Sequence, residues 1–453
     1  MSQPWDIDFP YGPAFEKLEK ASRKTIKEIQ DRRLRAQVEK AWDRIPYYRK
    51  LWEAAGVRPE DVKTAEDVSK LPWFDKLGLQ KGYQARPPFG DFGDLPFVRI
   101  QSTTGTTGKP KPILHTWYDW QVIANLQARR LYIQGVRSKD IVQVAFSYSL
   151  FIPGFTFSEG AMKLGAMVVP AGSGAVTPTI RQVELAKDWG STVLACTPSY
   201  ALYIGDQAEK MGLDPRKDLK IRITTHTAEP LPDPMRKRIE DKFGCKTYNN
   251  WGTVEIGSPT FVCPEYGMHI NEDGYIFEIL DRDTKEPLRP GEEGVLVVTS
   301  LFKEAMPVIR YNTEDLTYII EEPCACGRTL RRIAPIKGRA DDMFKVKGIM
   351  SFPSAFEATM GKFPELGSEY LIEVDNPGGV DVCTLHVEYI DAKTKSVEDL
   401  KARLEEGLRA GVGFSVDVKL YPFGGLTEKT SPEKRVKATR VWRLLDKRKH
   451  KLA

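Results

Sequence analysis

The chain has few cysteines, little net charge and no long hydrophobic run. Its 453 residues include 6 cysteines, and 67 Lys and Arg residues stand against 62 Asp and Glu, a formal net charge of +5. No stretch approaches the ~18 uninterrupted apolar residues of a membrane-spanning helix, because Ser, Pro, Gly or a charge interrupts even VQVAFSYSLFIPGF. A charge excess this small does not favour nucleic acid or a membrane as partner. We therefore expect a protein that binds neither.

The N-terminal sequence also lacks the features of a secretory signal. MSQPWDIDFPYG has neither a basic n-region nor an apolar h-region. This predicts a cytoplasmic protein whose thiols are reduced. With 41% apolar and 28% charged residues, the composition is that of an ordinary globular protein.

Three of the cysteines and one histidine are candidate metal ligands. Cys263 is followed by His269 in CPEYGMH, and Cys324 and Cys326 lie in the turn-rich stretch EEPCACGR. Zinc prefers four sulfur or nitrogen ligands presented by turns. A C-x-C pair is a weak signal, so three unrelated surface thiols remain the alternative. The other cysteines stand in apolar, strand-like runs and are expected to pack in the core.

Hydrophobic periodicity predicts an α/β protein with two domains. Residues 14–52 have apolar positions at helical spacing, and residues 118–250 alternate helix-like and strand-like segments, the pattern of a parallel sheet covered by helices. Short strands without intervening helices follow, which indicates a mainly antiparallel layer. The stretch IAPIKGRADD interrupts the pattern, and a small α+β pattern begins after it. We predict a large domain of helix-covered sheets over residues 1–337 and a small, mobile α+β domain over residues 338–453.

The sharpest local signal is QSTTGTTGKPKPILHT, which follows the strand-like segment PFVRI. Its hydroxyl groups, glycines and Lys predict a loop that surrounds a polyphosphate with N–H and O–H donors. The Walker A pattern does not fit, because Gly105 and Gly108 are too close and Pro110 follows Lys109. A flexible surface turn is the alternative. The loop favours nucleotide binding outside the P-loop NTPases.

STTGTTGKPK resembles the phosphate loop of the adenylate-forming acyl-CoA synthetase superfamily. The similarity continues in TAEPL, YNNWGTVEIGSP, EAMPVIRYNTEDLT and GRADDMFKVKG, which are similar to the adenine-contacting, aromatic-Gly, ribose-binding and hinge segments. IPYYRKLWEAAGV, SLFKEAMPVIRYNTEDL and CACGRTLRRI resemble the phenylacetate-CoA ligase group, and the resemblance covers most of the chain. It implies the adenylate-forming fold and an AMP-forming ligase that activates an aromatic carboxylic acid with ATP and transfers the acyl group to CoA.

The resemblance also implies which residues bind the nucleotide. Asp315 would accept the ribose hydroxyls, because an ionised carboxylate is acceptor-only. Glu255 would bind Mg²⁺, which takes oxygen ligands and bridges phosphates. Without the motifs, a turn residue and a solvated charge are the alternatives. The remaining implied nucleotide-binding residues are Ser102, Thr103, Thr104, Gly105, Thr106, Thr107, Gly108, Lys109, Ala228, Glu229, Pro230, Trp251, Gly252, Thr253 and Arg339.

Three further roles follow from the resemblance in the C-terminal part of the chain. Lys437 in PEKRVKATRVWR would balance charge as the acid attacks the α-phosphorus, with Lys434 as second candidate and a solvated lysine as the alternative. Asp341 stands at the hinge, where rotation of the small domain would exchange Lys437 for a pantetheine channel. Gly348 lies where a side chain would block that channel.

The acid is expected to bind among aromatic side chains. Phe146, Tyr148 and Phe151 in VAFSYSLF, with His226 and Trp251, are the candidates for a pocket that suits an aryl ring. Ordinary core packing is the alternative for each.

Two positions depart from the superfamily pattern and bear on phosphate and acid binding. Val254 replaces a phosphate-contacting Ser or Thr, for which Thr253 is a possible substitute, and Thr227 replaces a Gly.

The resemblance strengthens the expectation that the cysteine cluster binds Zn²⁺. The metal would be structural, because four protein ligands leave no coordination position open. A homodimer is also compatible with the sequence. Two other functions stay open: an adenylating enzyme that loads an acyl carrier protein, and a nucleotide-binding relative that has lost catalysis.

Overall fold

A computed structural model describes residues 13–86, 88–92, 95–102, 111–339, 344–346, 349–376, 381–426 and 441–443. Of the residues singled out above, Thr103–Lys109, Asp341, Gly348, Lys434 and Lys437 lie outside the described residues.

The helices and strands follow the periodicity of the sequence. The helices are α1 (Pro13–Glu19), α2 (Arg23–Arg44), α3 (Pro46–Ala54), α4 (Lys76–Ala85), α5 (Trp117–Ile133), α6 (Ile152–Lys163), α7 (Thr179–Asp188), α8 (Pro198–Lys210), α9 (Pro215–Asp218), α10 (Asp233–Phe243), α11 (Pro353–Met360) and α12 (Val397–Val412). The strands up to residue 280 are β1 (Phe97–Ser102), β2 (Pro112–Thr116), β3 (Ile141–Val144), β4 (Met167–Val169), β5 (Val193–Ala195), β6 (Ile223–His226), β7 (Lys246–Asn249), β8 (Thr260–Val262), β9 (Met268–Ile270) and β10 (Tyr275–Leu280). The later strands are β11 (Gly294–Ser300), β12 (Tyr311–Thr317), β13 (Ile319–Ile320), β14 (Arg332–Ile333), β15 (Gly338–Arg339), β16 (Phe344–Val346), β17 (Ile349–Ser351), β18 (Leu366–Asp375), β19 (Val382–Tyr389), β20 (Asp417–Pro422) and β21 (Val441–Arg443).

Residue contacts divide the chain into two compact units. The first unit comprises residues 1–139, 148–168 and 250–336, and the second comprises residues 140–147, 169–249 and 337–453. The predicted domain boundary after residue 337 stays a prediction.

The second unit contains the predicted parallel sheet. Strands β3, β5, β6 and β7 pair in parallel in that order, and the helices between them supply the crossover connections that parallel pairing requires. The strands are short and largely buried because helices cover a sheet of this kind. Leu202 on α8 and Ile239 on α10 are among the buried residues of this core.

The second unit also contains a small α+β segment near the C-terminus, as predicted. Its sheet has the order β20-β19-β18-β21, and α12 buries Leu400, Leu404 and Leu408 at helical spacing. The Ser396 side chain accepts a hydrogen bond from the main-chain N–H of Asp399 at the N-terminus of this helix. Gly413 ends the helix in left-handed backbone with φ of 82°.

The first unit is built on antiparallel sheets and helices α2, α3 and α5. Strands β10, β11 and β12 pair antiparallel, which confirms the predicted layer. A reciprocal pair of hydrogen bonds between Thr116 and Asp119 caps the start of α5. Trp52, Ile123 and Phe302 are among the buried residues of its core. In the described part of the chain, no helix combines the length and apolar character needed to cross a membrane.

Candidate active site

The hydroxyl-rich loop joins the two strands of a hairpin in the first unit. Ser102 at the end of β1 pairs with Pro112 at the start of β2. The Ser102 main-chain N–H donates to the Leu150 carbonyl at 2.7 Å, so the start of the loop is attached to the segment that contains Tyr148 and Phe151. Ser102 is buried, and the loop residues after it lie outside the described residues.

A compact turn after β7 presents Glu255. The Gly257 main-chain N–H donates to the Thr253 carbonyl at 2.8 Å and closes the turn. A Cβ at Gly252 would lie 2.3 Å from the Gly257 carbonyl oxygen, so the turn accepts only glycine there. The Glu255 carboxylate accepts from the Tyr311 hydroxyl at 3.5 Å.

Trp251 connects this turn to the predicted ribose-binding residue. Its indole Nε1 donates to Asp315 Oδ2 on β12 at 3.0 Å, and its main-chain N–H donates to Thr260 Oγ1 at 3.1 Å. The ring packs edge-on against Phe277 at 5.7 Å. Trp251 and Asp315 are both buried. The structure thus brings two of the predicted nucleotide-binding residues together.

Thr253 offers a hydroxyl group near Glu255 in the sequence. Its Oγ1 is buried and makes no hydrogen bond among the described residues. This is the residue proposed to substitute for the Ser or Thr that Val254 replaces.

In the second unit, the adenine-type segment follows the carboxyl end of β6. This is the end of a parallel sheet at which ligands bind in open α/β folds. Ala228 has φ of 76°, an unusual left-handed conformation for alanine that often marks a functional turn. The Glu229 carboxylate accepts from the Ser199 main-chain N–H at 3.2 Å, and the Glu229 carbonyl accepts from Asn249 Nδ2 at 2.9 Å. Pro230 follows it, and Arg339 lies partly buried on β15 of the same unit.

His226 lies at the end of β6 with its ring fully buried. Its Nδ1 lies 2.8 Å from the Cys196 carbonyl and its Nε2 lies 3.0 Å from Thr224 Oγ1. Burial lowers the pKa of His226 to about 4, so the imidazole is neutral at pH 7. Both ring nitrogens already have protein partners.

The aromatic candidates for the acid pocket are divided between the units. Tyr148 and Phe151 belong to the first unit, and the buried Phe146 belongs to the second. The Tyr148 hydroxyl lies 2.5 Å from Ser158 Oγ, and its ring packs edge-on against Phe155 at 5.4 Å. Both partners are on α6, which fixes Tyr148 against that helix.

The four candidate metal ligands converge in the first unit. One ligand atom from each of Cys263, His269, Cys324 and Cys326 lies within 4.8 Å of all the others. Strand β8 ends directly before Cys263, and β9 contains His269. Because Arg332 on β14 pairs with His269, this strand brings the distant CACG turn beside β9.

The distances in this cluster fit a tetrahedral metal centre. The sulfurs of Cys263 and Cys324 are 3.7 Å apart, too far for a disulfide, and Cys326 Sγ lies 3.4 Å from His269 Nε2. Sulfurs bound to one zinc at about 2.3 Å would lie about 3.8 Å apart. His269 Nδ1 lies 2.8 Å from the Leu330 carbonyl, an outer contact that leaves Nε2 as the ligand atom.

Several polar residues near this turn were not predicted from the sequence. Arg130 of α5 donates to the carbonyls of Thr260 and Trp251 at 2.7 and 3.3 Å. The Lys303 ammonium donates to the Glu255 carbonyl at 2.6 Å. The sequence shows that these residues are charged and stand beside apolar positions, but it does not reveal their partners.

Comparison with known proteins agrees with the fold. The AMP-binding enzyme family matches residues 61–302, and the AMP-binding enzyme C-terminal domain matches residues 348–442. The chain therefore belongs to the AMP-binding enzyme family.

Within that family the chain falls in the phenylacetate-coenzyme A ligase group. It is 36% identical to the phenylacetate-coenzyme A ligase of Thermus thermophilus, over 90% of this chain and 95% of the relative. It is 37% identical to that of Aromatoleum evansii, over 89% of this chain and 92% of the relative. A crystal structure of 2-hydroxyisobutyryl-CoA ligase, in the postadenylation state in complex with 2-HIB-AMP, matches with a TM-score of 0.89 at 26% identity and covers 98% of this chain and 96% of that one.

These similarities confirm three predictions. The chain has the adenylate-forming fold, with an AMP-binding region followed by a C-terminal domain. It belongs to the predicted ligase group. It is an ATP-dependent, AMP-forming acid–CoA ligase, a class whose substrates include ATP and CoA.

Proposed function

We propose that the protein converts an aromatic carboxylic acid to its CoA thioester through a bound acyl-AMP, with release of AMP and pyrophosphate. The observation that carries the proposal is the hydrogen bond from Trp251 to Asp315. It joins two nucleotide motifs that are 64 positions apart in the chain. The phenylacetate-coenzyme A ligases that resemble the chain support an aromatic acid as substrate.

ATP would be held by residues of the nucleotide-binding motifs. Asp315, with its carboxylate oriented by Trp251, would accept the ribose hydroxyls. The main chain of Ala228, Glu229 and Pro230 would face the adenine at the carboxyl end of β6, and Arg339 would contact the nucleotide. The hydroxyl groups of the loop and Lys109 would donate charge-assisted hydrogen bonds to the β- and γ-phosphates.

Glu255 would hold Mg²⁺ beside the phosphates. Mg²⁺ held there would offset the negative charge of the phosphates. The carboxylate is a suitable oxygen ligand, and the closed turn between Thr253 and Gly257 fixes its main chain. Thr253 would supply the phosphate-contacting hydroxyl that is missing at Val254.

Lys437 would balance charge during adenylation. The acid carboxylate and the α-phosphate repel each other, so a cation between them lowers the barrier to attack. Lys434 is the second candidate for this role. Movement of the domain over residues 338–453 about Asp341 would then open a pantetheine channel past Gly348 for attack by the CoA thiol.

The aryl group would pack against aromatic side chains. Tyr148 and Phe151, attached to Ser102 through the Leu150 carbonyl, would form one side of the pocket. Phe146 stays a further candidate for contact with the aryl group. Both ring nitrogens of His226 have protein partners. The neutral imidazole would therefore support the Thr227–Pro230 segment.

The cluster of three cysteines and one histidine would bind structural Zn²⁺. Its ligand types, spacing and outer hydrogen bond suit zinc, and the metal would join the two turns that carry the ligands. A cytoplasmic location and a homodimeric state stay predictions, which cell fractionation and light scattering test.

The direct test is turnover of the purified protein with ATP, Mg²⁺ and a panel of carboxylic acids, with and without CoA. CoA-dependent release of AMP with an aromatic acid is expected. Turnover only with an acyl carrier protein would overturn CoA as acceptor.

The alternative of a nucleotide-binding relative that has lost catalysis needs a separate measurement. Lys437→Ala should lower acid-dependent pyrophosphate exchange at least about tenfold while ATP binding persists. Unchanged exchange would remove Lys437 from the mechanism. Absence of exchange with every acid in the unmodified protein would favour a catalytically inactive relative.

A further inference from the structure

Lys303 is a buried lysine that the proposed mechanism does not use. It lies between β11 and β12, and its side chain is 1% exposed. Its Nζ donates to the main-chain carbonyl of Glu255 at 2.6 Å. Among the described residues it forms no ion pair with a carboxylate. Burial of an ammonium group costs free energy unless the charge is compensated. The hydrogen bond from Lys303 to this carbonyl therefore calls for a functional explanation.

The main chain around Lys303 is held rigidly. The Asp119 carboxylate accepts from the main-chain N–H groups of Glu304 and Ala305 at 2.6 and 3.1 Å. The Lys303 carbonyl accepts from Gln37 Nε2 at 2.5 Å. With its backbone held in this way, the side chain works as a fixed support for the turn.

The Glu255 carbonyl is held from within the protein by Lys303, while the Glu255 carboxylate bonds to Tyr311. We propose that Lys303 is a positioning residue: its hydrogen bond to the Glu255 carbonyl fixes the main chain of the Glu255 turn and so the place of that carboxylate. The proposal rests on the role of Glu255 in Mg²⁺ and phosphate binding. It assigns to Lys303 no contact with the substrate, because its ammonium is buried.

Two variants of Lys303 and one control test the proposal. Lys303→Met keeps the side-chain volume but loses the donor and the charge, whereas Lys303→Arg keeps both. Lys242→Met is the matched control, because Lys242 is a buried lysine 2.7 Å from Asp206 in the second unit. The readouts are acid-dependent pyrophosphate exchange at pH 7, ATP binding without acid in the presence and absence of Mg²⁺, and thermal unfolding.

Lys303→Met should lower kcat for exchange about tenfold at pH 7 and reduce the Mg²⁺-dependent gain in ATP affinity about tenfold, with the KM for the acid unchanged. Lys303→Arg, which keeps the donor, should restore activity. A folded Lys303→Met protein with unchanged kcat and Mg²⁺ response would overturn the proposal, as would losses no larger than those of Lys242→Met. If Lys303→Met does not fold, the same measurements are made on Lys303→Gln, which has a shorter side chain without charge, and unchanged kcat and Mg²⁺ response in that variant would overturn the proposal.

Failure of this proposal is distinct from failure of the proposed function. If the unmodified protein shows no exchange with any acid, the function is wrong. If it turns over and the Lys303 variants behave like the control, only the role of Lys303 is wrong.

Discussion

Burial decides the chemistry of single residues in this protein. His226 was predicted to contact the acid, and the structure surrounds its ring with protein and occupies both nitrogens. Lys303 is the opposite case. The sequence suggests no partner for it, while in the structure its ammonium donates to the Glu255 carbonyl. Residue type therefore gives the available chemistry, and the surroundings select which part of it is used.

His226 should make the protein less stable in acid. The folded-state pKa of His226 is lowered to about 4 by burial, below its usual value of 6.5. The unfolded chain therefore takes up the proton first, and the free energy of unfolding falls as pH drops from 6.5 towards 4, by about 3 kcal/mol in total.

Denaturant unfolding at pH 7 and pH 5 checks this expectation. The loss between the two pH values should be about 2 kcal/mol smaller in His226→Asn than in the unmodified protein. An equal loss in both proteins would contradict the expectation.

The Trp251–Asp315 hydrogen bond should contribute to nucleotide affinity. Trp251→Phe removes the N–H donor but keeps an aromatic ring against Phe277, so Asp315 loses its orientation. A hydrogen bond to a charged group is worth about 1.5–3 kcal/mol, and we expect ATP to bind at least about tenfold more weakly by calorimetry. Trp189→Phe is the control, because Trp189 is 56% exposed. Equal affinities in the two variants would argue against Asp315 as a ribose ligand.

At the scale of elements, strand pairing assembles what the chain separates. The pairing of β9 with β14 places the CACG turn beside His269, and the antiparallel β8–β9 hairpin places Cys263 there as well. The strands involved have only two or three residues, so their pairing alone is a weak constraint. A bound metal would stabilise the two turns that carry the ligands.

Metal analysis tests the zinc prediction. About one zinc per chain is expected in the unmodified protein, and Cys324→Ser should lower both the zinc content and the melting temperature. Cys383→Ser is the control, because this buried thiol on β19 is not part of the cluster. Unmodified protein purified without chelator that contains no metal would refute the prediction.

Helix α12 should stabilise the C-terminal α+β segment through its leucine stripe. Leu404 is fully buried in that core, and its replacement by alanine should lower the free energy of unfolding by about 2–5 kcal/mol. Lys401→Ala on the half-exposed face of the helix should change it by no more than about 0.5 kcal/mol. Denaturant titration with a probe in this segment measures both, and similar values for the two variants would refute the expectation.

At the scale of the whole molecule, the proposed mechanism needs a different position of the small domain in each half reaction. In the second unit, Phe423 stacks on Tyr203 of α8 at 5.8 Å, and the Lys210 ammonium lies 3.7 Å from the centre of the Phe423 ring. These contacts join the C-terminal segment to a helix of the parallel-sheet core. They should favour one arrangement of the small domain over the other.

Phe423→Ala should therefore separate the half reactions. Loss of the stacking contact is expected to lower acid-dependent pyrophosphate exchange by between about twofold and tenfold. Thioester formation from preformed acyl-AMP should not fall. Phe423→Tyr, which keeps the stack, is the control, and equal losses in both half reactions would contradict the expectation.

The sequence by itself determined the kinds of element, the parallel sheet and the family. Hydrophobic periodicity and the motif residues are local, so they can be recognised without knowing any contact between distant positions. For example, the alternation over residues 118–250 predicted strands β3, β5, β6 and β7 with their helices. The loop motif identified the chemistry from ten consecutive residues.

The tertiary structure alone decided which distant groups meet. The sequence nominated the four cysteine and histidine ligands as one site, but the support of Glu255 by Lys303 and the enclosure of His226 could not be predicted from sequence spacing. Each depends on strand register and packing between residues that are far apart in the chain, and those are set by the burial of the whole core. Local patterns fix which side chains are present, while the fold fixes their distances, their partners and, through burial, their charges.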